Sequence, residues 1–132
     1  GGAAACLAQA IEFATERTAF GRTIGSFQAI KHKLADIYVG NQLAVSNTYY
    51  GAWALASGAE ELPLAASVAR VSAIQAFEAA AAENVQVHGG MGFTWEANCH
   101  LYLRRSRSLA LVIGDASLWK SQITNEFERK VA

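Results

Sequence analysis

The sequence predicts an all-α fold, an antiparallel four-helix bundle of the up-and-down kind. Three observations carry this. Apolar residues recur at three- and four-residue spacing along most of the 132 residues. The composition is 52% hydrophobic, rich in Ala and with Pro63 as its single proline, so small side chains permit close helix packing and breakers are rare. The glycines and the proline punctuate short connections, which place successive helices antiparallel to one another.

The first helix is expected over about residues 2–19, with Leu7, Ala10, Ile11 and Ala14 on one face. "AFGRTIGSF" ends it, where Gly21 and Gly25 break the pattern. Ser26 offers a cap for a second helix over about 27–57, with Phe27, Ile30, Leu34, Ile37 and Tyr38 inward. Gly58 follows its end and Pro63 opens a third helix over about 63–87. That helix shows the clearest stripe: Leu64, Val68, Val71, Ile74, Phe77, Ala81 and Val85. A shorter helix is expected near 96–107. After a break at Gly114, Asp115 can cap a final helix carrying Leu118, Trp119, Ile123 and Phe127. The run "SLALVI" could form a strand, but no second strand is there to pair with it.

Formal net charge is zero, and the Lys and Arg residues are spread out except for Arg104, Arg105 and Arg107, which argues against a nucleic-acid binder. Cys6 and Cys99 form no ligand motif and are expected reduced and buried, as in a cytoplasmic protein. No apolar run approaches the roughly 20 residues of a membrane span, so no membrane insertion is expected. His32, His88 and His100 lack metal-ligand spacing, so no metal is expected. The chain opens on "GGAAACLAQAIEFA", helical from the outset and without Met or cap, which predicts an excised domain or a processed fragment.

Two stretches are candidate sites. "VQVHGGMGF" ends the third helix and sets Gln86 and His88 beside Gly89 and Gly90. It reads either as a helix stop or as backbone opened toward a polar ligand edge. A dinucleotide loop is excluded by the helix that precedes it, where that fingerprint needs a strand. In "ERTAFGRTIGSFQ", Arg17 could hold a phosphate and Phe20 could cover an aromatic ring, against the plainer alternative of a solvated arginine beside a turn. The arginines of "LYLRRSRS" fit phosphate binding and a solvated or intersubunit salt-bridged face about equally.

Taken in order and at this spacing, "ATERTAFGRTIGSFQAIKHKLADI", "VQVHGGMGFTWE" and "LYLRRSRS" resemble the C-terminal helical domain of acyl-CoA dehydrogenases across essentially the whole chain. The resemblance implies that an N-terminal helical domain and a middle β-domain are absent from this chain. It implies FAD as cofactor, an acyl-CoA substrate and an electron-transferring flavoprotein or similar acceptor. It also implies an oligomer, a dimer of dimers or a heteromer, with this domain at its centre. Carried over residue by residue, Arg17 matches an FAD pyrophosphate contact, with Phe20 beside it, and Phe27 and Gln28 match the adenine end. Gln86, Val87, His88, Gly89 and Gly90 match a turn that approaches the flavin of a neighbouring subunit, and Ser117 matches a flavin-proximal position. The sequence departs from the family at the base. Where many members carry a glutamate this chain has Gly114, and Asp115 is short and expected to cap a helix, so the catalytic base stays unassigned.

Overall fold

The computed structural model describes residues 1–131. Five α-helices account for most of them: α1 (Gly2–Glu16), α2 (Gln28–Ser57), α3 (Leu62–His88), α4 (Cys99–Val112) and α5 (Ala116–Val131). Short 3-10 turns cover Ile24–Ser26 and Gly89–Phe93. The five helices form four rods. Ala14 lies against Gly25 and Cys6 against Ile37, so α1 runs antiparallel to α2. Lys33 meets Glu83 and Asn47 meets Ser72, so α2 runs antiparallel to α3. Arg107 bonds Glu78, Arg70 bonds Leu109 and Ser67 bonds Gln122, so α4 and then α5 descend α3 in line. The fourth rod is therefore one path broken at Ile113–Asp115, and the up-and-down bundle stands.

Helix ends follow local chemistry. Gly58, at φ 65° and ψ 29°, closes α2 in the left-handed conformation that costs glycine least. Pro63 falls in the first turn of α3, where its missing N–H loses nothing. Asp115 accepts a hydrogen bond from the Leu118 N–H at 2.9 Å and caps α5 as expected. Ser26 does not cap α2. Its hydroxyl donates to the Thr23 carbonyl at 2.6 Å within the 3-10 turn, and Phe27 occupies the capping position with no side-chain bond.

The first helix stops at Glu16, short of the expected end, because the chain pairs with itself. Thr18–Ala19 (β1) and Arg22–Thr23 (β2) form a two-stranded hairpin around Phe20 and Gly21. Both turn residues have positive φ, 53° and 77°, as a two-residue hairpin turn of type I′ requires. "SLALVI" is helical for most of its length, extending α4 to Val112.

The core runs along α3, which touches every other helix. One cluster joins Cys6, Ile37, Ala80 and Ala81, packed by Leu7, Phe77, Tyr102 and Leu103. A second joins Ala10, Ala14 and Val87, packed by Phe13, Ile24, Ile30 and Leu34. Because α3 is enclosed on several sides, Ala65, Ser67, Ala76, Ala80, Asn84 and Val87 are buried although they lie off the expected stripe. Ile11 and Tyr38 point outward instead of inward, at 44% and 56% exposure. Both thiols are free and buried. Burial, and then the neighbouring Cys99, pushes the Cys6 thiol up to about 11, and burial raises Cys99 as well.

Candidate functional site

The second core cluster fixes one end of the bundle and brings most of the expected site residues to it. Phe13, near the end of α1, stacks on His88, at the end of α3, with ring centroids 4.2 Å apart. The Arg17 N–H donates to the Phe13 carbonyl at 2.9 Å, and the Arg17 carbonyl accepts from the Ile24 N–H at 2.8 Å. Arg17 is thus held by its backbone at both sides while its side chain stays exposed. It takes part in no ion pair among the described residues. The hairpin beyond it presents Phe20, 95% exposed, edge-on to Phe27 at 6.2 Å. The Arg22 guanidinium covers Phe27 at 4.0 Å, so Phe27 is half-buried and Phe20 is the free aromatic face. Gln28 is exposed in the first turn of α2.

On the α3 side, Val87 is buried in the core and sets the turn, while Gln86 is exposed. The His88 ring meets the Asn84 carbonyl through Nδ1 at 2.8 Å. A carbonyl only accepts, so Nδ1 is the donor in this contact. Gly89 ends the helix at φ 58° and ψ −135°, a region open to glycine and hardly to other residues. Beyond its immediate chain neighbours, a Cβ at Gly89 or Gly90 would meet no atom of the described residues within 4 Å, so the backbone there is bare. Gly92 differs: a Cβ there would stand 2.6 Å from the Val85 carbonyl oxygen, so this glycine serves the close packing of the turn on α3.

The corner therefore holds a guanidinium with no ion pair among the described residues, an exposed aromatic ring, an amide side chain on each of α2 and α3 and uncovered glycine backbone. That set suits an anionic, aromatic dinucleotide: the arginine for phosphate, the ring for stacking, the glycines for close approach. A cleft of about 240 Å³ beside His88 is less suited to phosphate, since Glu12 and Glu16 line it. Among the described residues no group of His, Cys, Asp or Glu is arranged to hold a metal ion.

Ser117 stands apart. It is exposed on α5, just past the break that faces α3 near Ser67 and Arg70. From there to Gln86 is about 24 Å along α3 at 1.5 Å per residue. Gly114 sits at φ 94°, and a Cβ on it would come within 2.3 Å of Leu118 Cδ2 and 3.2 Å of Trp119 Nε1. The Asp115 carboxylate is engaged in capping α5. Sequence reasoning missed Phe13 and Arg70, which shape these places, and expected Trp119 only as an apolar residue of the final helix, without its bond to the Ile113 carbonyl. Only the i, i+4 step from Phe13 to Arg17 was visible beforehand, and it names no partner.

Residues 1–126 match the family model described as acyl-CoA dehydrogenase, C-terminal domain. Acyl-CoA dehydrogenase IpdE2 of Mycobacterium tuberculosis is 42% identical over 115 residues, covering 86% of this chain and 34% of that protein. The chain thus spans about a third of the length of that curated relative. Among solved structures, the Tcur3481–Tcur3483 steroid ACAD aligns at a TM-score of 0.94 and 26% identity, over 99% of this chain and 36% of that one. Butyryl-CoA dehydrogenase from Megasphaera elsdenii aligns at 0.90 and 25% identity, over 96% of this chain and 33% of that one.

Proposed function

The chain belongs to the acyl-CoA dehydrogenase family, of which it is the C-terminal domain, and from this we propose that it supplies the FAD-facing corner and an oligomer interface of an acyl-CoA dehydrogenase. When bound, FAD supplies the hydride acceptor for α,β-dehydrogenation of an acyl-CoA thioester to the 2-enoyl-CoA. The electrons go on to an electron-transferring flavoprotein or similar acceptor. In this reading Arg17 grips the pyrophosphate, Phe20 covers a ring of the cofactor, and Phe27 with Gln28 borders its adenine end. Gln86, Val87 and His88 set the turn so that Gly89 and Gly90 lie against the cofactor.

One observation carries the reading: an exposed arginine with no ion pair among the described residues, an exposed phenylalanine and bare glycine backbone share one end of the bundle. The second flavin-facing place, Ser117, lies about 24 Å away along α3, which fits a corner and a break that serve the cofactors of different subunits. Exposed Val39, Leu43, Tyr50 and Trp53 make an apolar stripe on α2 that suits burial in such an assembly. The α-proton is taken by a carboxylate outside this chain, because Gly114 and the capping Asp115 supply none. The same two residues favour a second reading, in which the chain belongs to a non-catalytic partner subunit of a heteromeric dehydrogenase.

The test of cofactor binding is Arg17→Ala in the full-length protein. Loss of a charge-assisted phosphate contact, worth roughly 1.5–3 kcal/mol, weakens FAD binding about ten- to a hundredfold with helical content unchanged. Flavin content equal to the parent after gel filtration would show Arg17 to be a surface residue only.

A further inference from the structure

The joint between α4 and α5 is fastened by side chains from two directions. From α5, the Trp119 indole N–H donates to the Ile113 carbonyl at 2.9 Å, and Asp115 caps the new helix. From α3, the Arg70 guanidinium donates through Nη2 to the carbonyl of Leu109. Leu109 is in the last turn of α4, where carbonyls run out of intrahelical partners and a cation meets the favourable end of the helix dipole. Between these ties Gly114 holds its left-handed conformation at φ 94°.

Arg70 is an expensive choice for this place. Its Nε is buried with no hydrogen-bond partner, and its charge forms no ion pair among the described residues. A long apolar side chain would fill the space without a stranded donor or an uncompensated charge. What the guanidinium adds is a charged donor at the end of a long side chain, whose single Nη2 contact fixes where the end of α4 lies against α3.

We propose that Arg70 is a positioning residue: by tying the last turn of α4 to α3, it sets the depth at which the Gly114–Ser117 break meets the flavin. The inference rests on the FAD reading above. In the full-length protein, Arg70→Met removes the tie and keeps the bulk, and Arg70→Lys keeps a charged donor. The expected result for Arg70→Met is FAD binding weakened about tenfold. It is accompanied by an altered flavin absorption envelope and an apoprotein melt equal to or above the parent's. Arg70→Lys recovers part of the parent's spectrum. A flavin spectrum and affinity unchanged in Arg70→Met would overturn the inference, as would a collapse of the apoprotein melt in both variants, which marks a plain folding role. A parent protein that binds no FAD would instead sink the FAD reading itself, and this inference with it.

Discussion

Gly90→Ala separates a helix stop from a cofactor surface, because the chain itself gives the new methyl group nothing to strike. Beyond its chain neighbours, no atom of the described residues lies within 4 Å of the added Cβ, and the backbone there has an ordinary φ. Within the domain, alanine therefore stabilises, by about 0.4–1 kcal/mol through the lowered entropy of the unfolded chain. If FAD lies against this backbone, the same methyl intrudes on a packed surface at a cost of about 1–3 kcal/mol, or roughly 5- to 150-fold in affinity. The two effects have opposite signs, so a single variant reads both. Gly89→Ala cannot do this, since φ 58° with ψ −135° strains alanine whatever lies nearby. The assay is thermal melting of the full-length apoprotein and calorimetric titration with FAD. A raised melt with weakened flavin binding supports the cofactor surface. Parent-like FAD affinity in Gly90→Ala would refute the argument that this glycine is kept for close approach.

Two further outcomes follow from the packing. Gly92→Ala sets a methyl 2.6 Å from the Val85 carbonyl, so stability falls by about 1–3 kcal/mol in denaturant melts, and flavin is lost together with it. Cys6 gives a pH signature. Its thiol is pushed up to about 11 in the folded chain from an ordinary value near 9, so the unfolded chain loses its proton first. The associated stability, of order 2 kcal/mol, is present below pH 9 and disappears as pH rises toward 11. Urea melts at about pH 8 and about pH 11 should show this slope in the parent and a shallower one in Cys6→Ala.

The helices were legible where one strong local rule acted alone. Gly58 and Pro63 bracket a loop because each is tied to a backbone conformation that few other residues take as well. Ser26 misled because it falls inside the 3-10 turn, one residue before the capping position at Phe27, where its hydroxyl donates to the Thr23 carbonyl. The Phe20–Gly21 hairpin has strands of two residues each, too short to show any alternation. Tyr38 and Ile11 sit at the margins of their apolar stripes, and periodicity does not say where an interface stops. In α3 the stripe understated burial, since a helix enclosed on several sides has no polar face to reveal its orientation.

The corner was legible as residue types, and Arg17 and the Gly89–Gly90 turn lie at the same end of the bundle. The contact that joins them, Phe13 on His88, spans two helices distant in sequence and leaves no local mark. Arg70 was hidden for a similar reason. In an Ala-rich helix one arginine looks solvated, and only the path of α4 shows that it ends on a helix carbonyl.

The central claim is that this domain lends its corner to the flavin of a neighbouring subunit. Sedimentation velocity of the full-length apoprotein titrated with FAD, followed at a flavin wavelength, tests it most directly. The account predicts that flavin absorbance travels only with oligomers, and that added FAD draws free subunits into them, because the cofactor binds the assembled state. Flavin sedimenting with a monomer, at an affinity equal to that of the oligomer, would contradict it.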